Sequence, residues 1–564
     1  MHLVEKSFDG RRYFYLIEKE RRGKRVFTKR TVYIGDRQKL TELLQANITG
    51  GLPTSYTSQE VGASLAFATV AQELGIENLI DEVCPVRAGA SPWGRQLLLM
   101  ALHRVLAPRW GNGLSNLRES YENSSLAELL PITKASLDNR RLGERLARLT
   151  ARQVELIESA VVKGVIEHEG IGLDALAFDC TNFDSYAAAS TRSRLLKRGH
   201  GKSGRSLRVL GLGLLVTEDG GIPLLTLTYP GNENDVTAFV RFLGGLQRRR
   251  ASLPLPLDAT IAADGGNISK AILHRLESDG KRQLHYVIRL PERHACALSR
   301  VASVDLPIIE GLQGKVRAKK YECPVYGVNR CVVDTYSPRM HRRQLPGLIR
   351  DRKKATADLM HLQRQLELQR QGLRHVKPIT LAALKRRVKK ALSREHMQGL
   401  FAVQVEPGDA APSLNFQVSE AEWRRLESRV LGRTLLVTSR NDWSAERIVR
   451  ASRKQSHNER FFRDAKDPIG ASMLPLRHRR DPALRATALV VVLGLLLAKV
   501  ILRRLQKSGA EVRSVARMLR NLKGIQRGRM HLPKDAPPAL RGLAATTWVP
   551  SKRTTLQDQM LEAL

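Results

Sequence analysis

The sequence predicts an α/β core, a mixed sheet with flanking helices, which carries an inserted domain and follows a mainly helical N-terminal module. Two observations predict it. From Gly170 to about Pro291 an apolar strand, a hairpin and then alternating helix and strand signals follow one another, and a further strand signal returns at "GRTLLVTSRND". Ahead of that core, from about Thr57 to Gly164, apolar residues recur at helical spacing, as in "VGASLAFATVAQELGIENLIDEV".

Taken in order, residues 12–34 alternate aromatic or β-branched residues with charged ones around "RRGKR" and predict a basic hairpin, an appendage within residues 1–45. Residues 46–165 form the helical module, rich enough in Lys and Arg for DNA contact. The first part of the core, residues 166–290, opens with the strand "LDALAFDC", expected to end in Asp179. A hairpin turning at Glu218–Gly221 follows, then a helix over "NDVTAFVRFLGGLQRRR". The strand of "LDATIAADGG" ends in Asp264, and the helix "NISKAILHRLESDG" and strand "QLHYVIRLP" complete this part.

The rhythm breaks over residues 291–432, the expected insertion. Within it, residues 336–400 hold 17 Lys and Arg against 4 Asp and Glu. Leu359, Leu362, Leu366 and Leu373 mark one helical stripe, Pro378 interrupts it, and Leu381, Leu384, Val388 and Leu392 mark a second. That pattern is a helical hairpin with a basic outer face. The core resumes over residues 433–505 with a helix expected from Ala445 to Lys466, capped by Ser444, favoured by Glu446 at its positive end and stopped by Asp467-Pro468. Residues 506–564 are a basic helical tail.

Composition narrows the function. The 564-residue chain is 42% hydrophobic and 26% charged, globular usage, but its net charge of +39 selects a polyanionic partner, with nucleic acid ahead of an anionic membrane. The apolar run Ala486–Ala498 is shorter than the ~18–20 residues of a membrane span, so it reads as a helix buried in the protein, with no membrane partner. Five cysteines without a CxxC support neither a zinc site nor a disulfide framework. The N-terminus lacks the apolar core of a signal peptide, so a cytoplasmic location is expected.

Three acids stand out. Asp179 and Asp264 end strands, where the ligands of open α/β sheets gather, although turn-forming aspartates occupy the same places. Glu459 and Lys466 sit on one helix face; alone, Glu459 reads as a solvated charge among Arg453, Lys454, Arg460 and Arg463. Together Asp179, Asp264 and Glu459 are hard oxygen donors suited to Mg²⁺ or Mn²⁺, and two such ions about 4 Å apart can serve both sides of a phosphodiester displacement. Candidate DNA contacts are Lys466, Arg463 and Gln455 on the helix and His200 and Lys202 in the Gly-rich loop "RGHGKSGR", which also reads as a solvated loop. Asp184, Glu233 and Asp235 are alternative acids nearby that read better as turn and cap residues, and Cys180 reads as strand packing.

The order strand-Asp179, hairpin, strand-Asp264, insertion, helix-Glu459 resembles the ribonuclease H-like core of DDE transposases of prokaryotic insertion sequences. More narrowly, it is similar to the group with a Tyr-Arg-Glu-Lys signature and an insertion before the last acid. The resemblance rests on "FDCTNFDSY", "KRGHGKSGRSLRVLGLGLLVTEDGGIPLLTLTYPGNENDVTAF", "IAADGG" and "NERFFRDAKDP". Of the pattern Tyr-x2-Arg-x3-Glu-x6-Lys, Glu459 and Lys466 match, while Ser452 and Gln455 occupy the Tyr and Arg positions that handle the transposon end in the family. The resemblance implies an enzyme that binds element ends, hydrolyses their strands with a divalent metal at Asp179, Asp264 and Glu459, and joins the 3′-hydroxyls to target DNA. It implies a homodimer in the synaptic complex and a nucleoid-associated protein. A DNA-binding relative that no longer cuts is the alternative.

Overall fold

The computed structural model describes residues 2–8, 11–22, 25–41, 55–107, 113–188, 190–201, 206–256, 258–277, 284–291, 301–310, 312, 314–372, 378–466, 473–474, 476, 478–531 and 549–564. The chain divides into two compact units: one holds Met1–Leu149, Asp464–Met473 and Val490–Leu564, the other Thr150–Arg463 and Leu474–Leu489.

In the first unit, β1 (His2–Phe8), β2 (Arg11–Arg22) and β3 (Arg25–Asp36) form an antiparallel sheet. The expected hairpin is β2–β3, and β1 adds a third strand. After β4 (Ser55–Glu60) come helices α1 (Gly62–Glu73), α2 (Ile76–Val83), α3 (Trp93–Leu106) and α4 (Asn139–Arg148), the helical module that the periodicity predicts.

The second unit begins with α5 (Ala151–Glu169), opened by a Thr150–Gln153 capping box and closed by Gly170 in the left-handed region at φ +57. Its core is a nine-stranded mixed sheet. The strands are β5 (Ala175–Ser185), β6 (Lys197–His200), β7 (Ser206–Thr217), β8 (Pro223–Pro230), β9 (Thr260–Ala263), β10 (His285–Leu290), β11 (Arg317–Val325), β12 (Val328–Tyr336) and, after the hairpin β13 (Phe401–Glu406) and β14 (Ser413–Val418), β15 (Arg433–Thr438). The order is β11-β12-β15-β10-β9-β5-β7-β6, with β8 also on β7. β5, β9 and β10 are parallel neighbours, and β7 and β8 run antiparallel beside them.

Helices cover both faces. On one, Phe178 of β5 packs on Phe239 and Phe242 of α6 (Asp235–Arg249), ring centroids 4.9 and 4.1 Å away. After α7 (Lys270–Glu277), the stretch expected as an insertion contributes β11 and β12 to the sheet: β12, buried continuously over Arg330–Thr335, pairs with β15. Its helical hairpin is α8 (Pro338–Arg370) and α9 (Leu381–Ala391), which close a separate core of Leu359, Leu362, Leu366, Leu384 and Val388 with β13 and β14.

The helix expected from Ala445 to Lys466 is two: α10 (Ala445–Arg453) and α11 (Ser456–Lys466). Between them Lys454, Gln455 and His457 donate to carbonyls three residues back, at Ala451, Ser452 and Lys454. Ser452, Ser456, His457 and Asn458 are weak helix formers, so the continuous spiral yields there to tertiary packing. Ser444 does cap α10, accepting from the Arg447 N–H at 3.1 Å.

α12 (Asp481–Lys507) contains the apolar run; its most apolar 18-residue window is 94% buried, the environment of a core helix. Completing the first unit, α13 (Val515–Lys523) leads to β16 (Gln526–His531), which pairs with β4 and β17 (Val549–Pro550), and α14 (Thr555–Glu562) ends the chain's described helices.

Candidate active site

The parallel pairing of β5 and β9 runs Ala175↔Thr260, Leu176↔Ile261, Ala177↔Ala262 and Phe178↔Ala263. The next position on each strand is an aspartate, Asp179 beside Asp264, at the point where the strands part. Adjacent strands lie about 4.8 Å apart, so the two backbones deliver carboxylates to one place. Side chains alternate along extended chain, and Asp264 is still extended at φ −79, ψ 161. Two residues behind it, Ala262 packs under Ile448 and Val449 of α10. Asp264, and Asp179 two residues on from Ala177, therefore belong to the α10 face, opposite the Phe178 and α6 side.

Each aspartate is held locally. Asp179 is half-buried and its Oδ1 accepts from Cys180 N–H at 2.7 Å; Asp264 is exposed and its Oδ1 accepts from Gly265 N–H at 2.8 Å, capping the turn Gly265–Asn267. The expectation that Asp179 ends its strand is corrected: β5 continues to Ser185 because β7 keeps pairing with it, Asp179 facing Leu214.

By sequence Asp235 is an alternative acid that reads as a turn or cap residue. It does open α6 after the Asn234 cap, yet a Cβ on Gly266 would stand 3.6 Å from its Oδ2, which sets a third carboxylate beside the turn that Asp264 caps. Tyr229, 1% exposed, feels both sides of this edge: burial first, then Cys180, Asp235 and Asp179 push its hydroxyl well above the ordinary phenol range. The Tyr229 ring lies against Gly211 on the neighbouring strand, where any side chain would collide with it. Nothing in "GNENDV" signals that proximity, because it comes from the return of α6 onto the sheet.

α10 lies across β5, β9, β10, β11 and β12. Trp443, just ahead of it, sits between Arg440 and Arg447, each guanidinium carbon 4.8 Å from the ring centre, and Lys320 donates to the Asn441 and Trp443 carbonyls. Arg447 pairs with Glu218 at 2.9 Å in the β7–β8 turn. Gly221 of that turn, at φ +66, leaves no room for a Cβ, which would stand 2.6 Å from His457 Nδ1 at the start of α11. These contacts fix the helix that precedes Glu459 to the base of the sheet.

Glu459 is exposed in the first turn of α11, whereas Asn458, Phe461, Phe462 and Ala465 are buried. Among the described residues, both polar atoms of the Asn458 amide and the Gln455 Nε2 are buried without a hydrogen-bond partner. Among the described residues no group of three or more His, Cys, Asp or Glu is placed to hold a metal ion. The structure thus sets Asp179 and Asp264 side by side and does not bring Glu459 into one group with them. The two paired carboxylates suit a hard divalent cation in donor type.

Arg463 is exposed and Lys466 half-buried on α11; His200 closes β6, and Lys202 lies outside the described residues.

Residues 181–496 match the family described as the transposase DDE domain. The matched span begins two residues after Asp179 and contains Asp264 and Glu459. No curated protein matches the chain. Among solved structures, the chain is similar at 9% identity and a TM-score of 0.36 to the cryo-EM structure of a piggyBac transposase synaptic complex with hairpin DNA, over 83% of this chain and 82% of that one.

Proposed function

The chain belongs to the transposase DDE domain family, and from that premise we propose that it is a DNA transposase with a ribonuclease H-like catalytic core. It binds the ends of a mobile element, hydrolyses a phosphodiester at each, and joins the freed 3′-hydroxyl to a target strand. The observation that supports this reading most is the β5–β9 register, which makes Asp179 and Asp264 neighbours.

Asp179 and Asp264 would hold the divalent metal, Mg²⁺ or Mn²⁺ by donor type and as a pair of ions, with Glu459 as the third ligand of the family signature. When bound, such an ion polarises a phosphoryl oxygen and lowers the pKa of its water. The protein's own share is positional. Oδ1 of each aspartate is tied to a backbone N–H, which helps to orient the carboxylate. Lys466 and Arg463 on α11 meet phosphates beside the cut as cations that cannot ligate metal. The wider positive surface supplies sequence-independent affinity. A homodimer in the paired-end complex, with a nucleoid-associated life in the cytoplasm, follows the same reading.

A second reading, a DNA-binding relative that no longer cuts, draws support from the exposed Glu459 and the lack of a three-acid group among the described residues. One assay separates the two. A duplex carrying the repeats that flank the coding region is incubated with protein and Mg²⁺ or Mn²⁺. Strand scission lost in Asp264→Asn supports the enzyme, and wild-type binding without scission supports the inactive relative.

A further inference from the structure

The outer side of α8 carries a feature that catalysis does not use. Leu345, Pro346 and Ile349 form an apolar floor, and Arg342, Arg350, Lys353 and Lys354 stand along it, bounding a shallow trough of ≈ 650 Å³ on this one helix. Leu348, Ala355, Leu359, Leu362 and Leu366 of α8 are buried in its own core, against which Leu345 also packs in part, so the trough runs beside that core and leaves Pro346 and the four cations uncovered.

Its charges are unusually bare. All four cations are exposed. Arg350 has Asp351 at 3.7 Å, but Arg342, Lys353 and Lys354 have no ion pair or hydrogen bond among the described residues. Like charges three and four residues apart on a helix repel, so an uncovered row of this kind works against the helix that carries it, and a polyanion relieves that repulsion. The row from Arg342 to Lys354 spans about 18 Å, roughly the axial length of five base pairs at 3.4 Å each. Pro346 within the helix lacks an N–H and tends to bend the axis where the apolar floor begins.

We propose that this face of α8 is a docking surface for the sugar–phosphate backbone of duplex DNA, contacted without reading sequence. The inference rests on the transposase reading for the identity of the polyanion. Arg342, Arg350, Lys353 and Lys354 each neutralise a phosphate, and the apolar floor lies against the sugar edge between them. The neighbouring helix α9 extends the positive field with exposed Lys385, Arg386, Lys389 and Lys390.

The test compares wild type with the full-length variant R342Q/R350Q/K353Q/K354Q and with its charge-retaining counterpart R342K/R350K. Binding to a 40-base-pair duplex of unrelated sequence is measured by fluorescence anisotropy from 50 to 200 mM salt, after thermal denaturation has verified folding. The slope of log K against log salt is expected to shrink by about 3 to 4, with affinity lower by on the order of 10² or more, in the glutamine variant only. An unchanged slope in a folded glutamine variant overturns the proposal, as does a slope lost equally in the lysine variant. Anionic-lipid vesicles that lose binding while the DNA slope stays put would reassign the trough to a membrane surface, and a changed oligomeric state with the same slope would reassign it to a second copy. A wild type without duplex affinity overturns the transposase reading itself, a result distinct from a wild type that binds and a variant that binds equally well.

Discussion

Asp179 and Asp264 occupy the positions that directly follow the paired residues Phe178 and Ala263 on two adjacent parallel strands, so one step of the β5–β9 register sets two carboxylates side by side. The same step decides their face. A slip of one residue in either strand would send one aspartate toward α6 and Phe242, into apolar packing that disfavours an ionised carboxylate. The apolar pairs behind the aspartates, Ala177↔Ala262 and Phe178↔Ala263, are buried and specify the register.

Glu459 is exposed, so its replacement should be structurally quiet and functionally severe. Glu459→Gln is expected to leave thermal stability within about 0.5 kcal/mol and to abolish scission, with Glu459→Asp retaining a small residue of it. Lys466→Ala should weaken productive end binding and slow cleavage and joining without changing the Mn²⁺ concentration at half-maximal rate. Metal rescue of the Lys466 variant would assign that side chain to the metal site instead.

Asn458 carries a buried amide without hydrogen-bond partners among the described residues. Asn458→Leu, close in size, is expected to be neutral or to stabilise the protein by about 1 kcal/mol, because an unsatisfied polar group is exchanged for an apolar one. Urea unfolding monitored by circular dichroism measures it, and a loss of 2 kcal/mol or more would mean that the amide is bonded in solution.

Arg433 and Asp334 bridge β15 and β12 with side chains 5% and 0% exposed, Nε to Oδ1 at 2.7 Å. Arg433→Ala strands a buried carboxylate and should destabilise the second unit by roughly 3–5 kcal/mol. The double variant Arg433→Met with Asp334→Leu should recover most of that loss, since a buried pair is weak net stabilisation against apolar packing. Thermal melts of the single and double variants decide it.

With a net charge of +39, wild-type affinity for duplex DNA should fall by ~10³ or more between 50 and 200 mM salt if six or more phosphates are neutralised. A shallow dependence would assign the positive charge to another partner.

Much of the fold was legible in the sequence because its signals are local. The β7–β8 hairpin announces itself by the turn Glu218–Gly221 between apolar runs, the Ser444 cap by its place before an amphipathic stretch, and Asp264 by closing a short apolar strand. What stayed hidden depends on distant segments. β5 outruns Asp179 because β7, not its own sequence, sustains the pairing; β11 and β12 join the sheet through β15, far along the chain; and α10 and α11 separate where His457 meets Gly221. At the site, both aspartates could be named from sequence, but their adjacency is a register. Asp235 reads as a cap residue from sequence because its proximity to Gly266 exists only once α6 has folded back.

The most direct test of the Asp179–Asp264 pair is strand scission by Asp179→Asn and Asp264→Asn on an end-bearing duplex in Mg²⁺, read beside binding of the same duplex. Each change removes one charged ligand and keeps the side-chain shape, so scission is expected to fall by more than the ~10²-fold typical of losing an outer-shell partner, with end binding within a few-fold of wild type. Wild-type scission by either variant, or an equal loss of binding and scission in both, would contradict the assignment of these two carboxylates as the core of the active site.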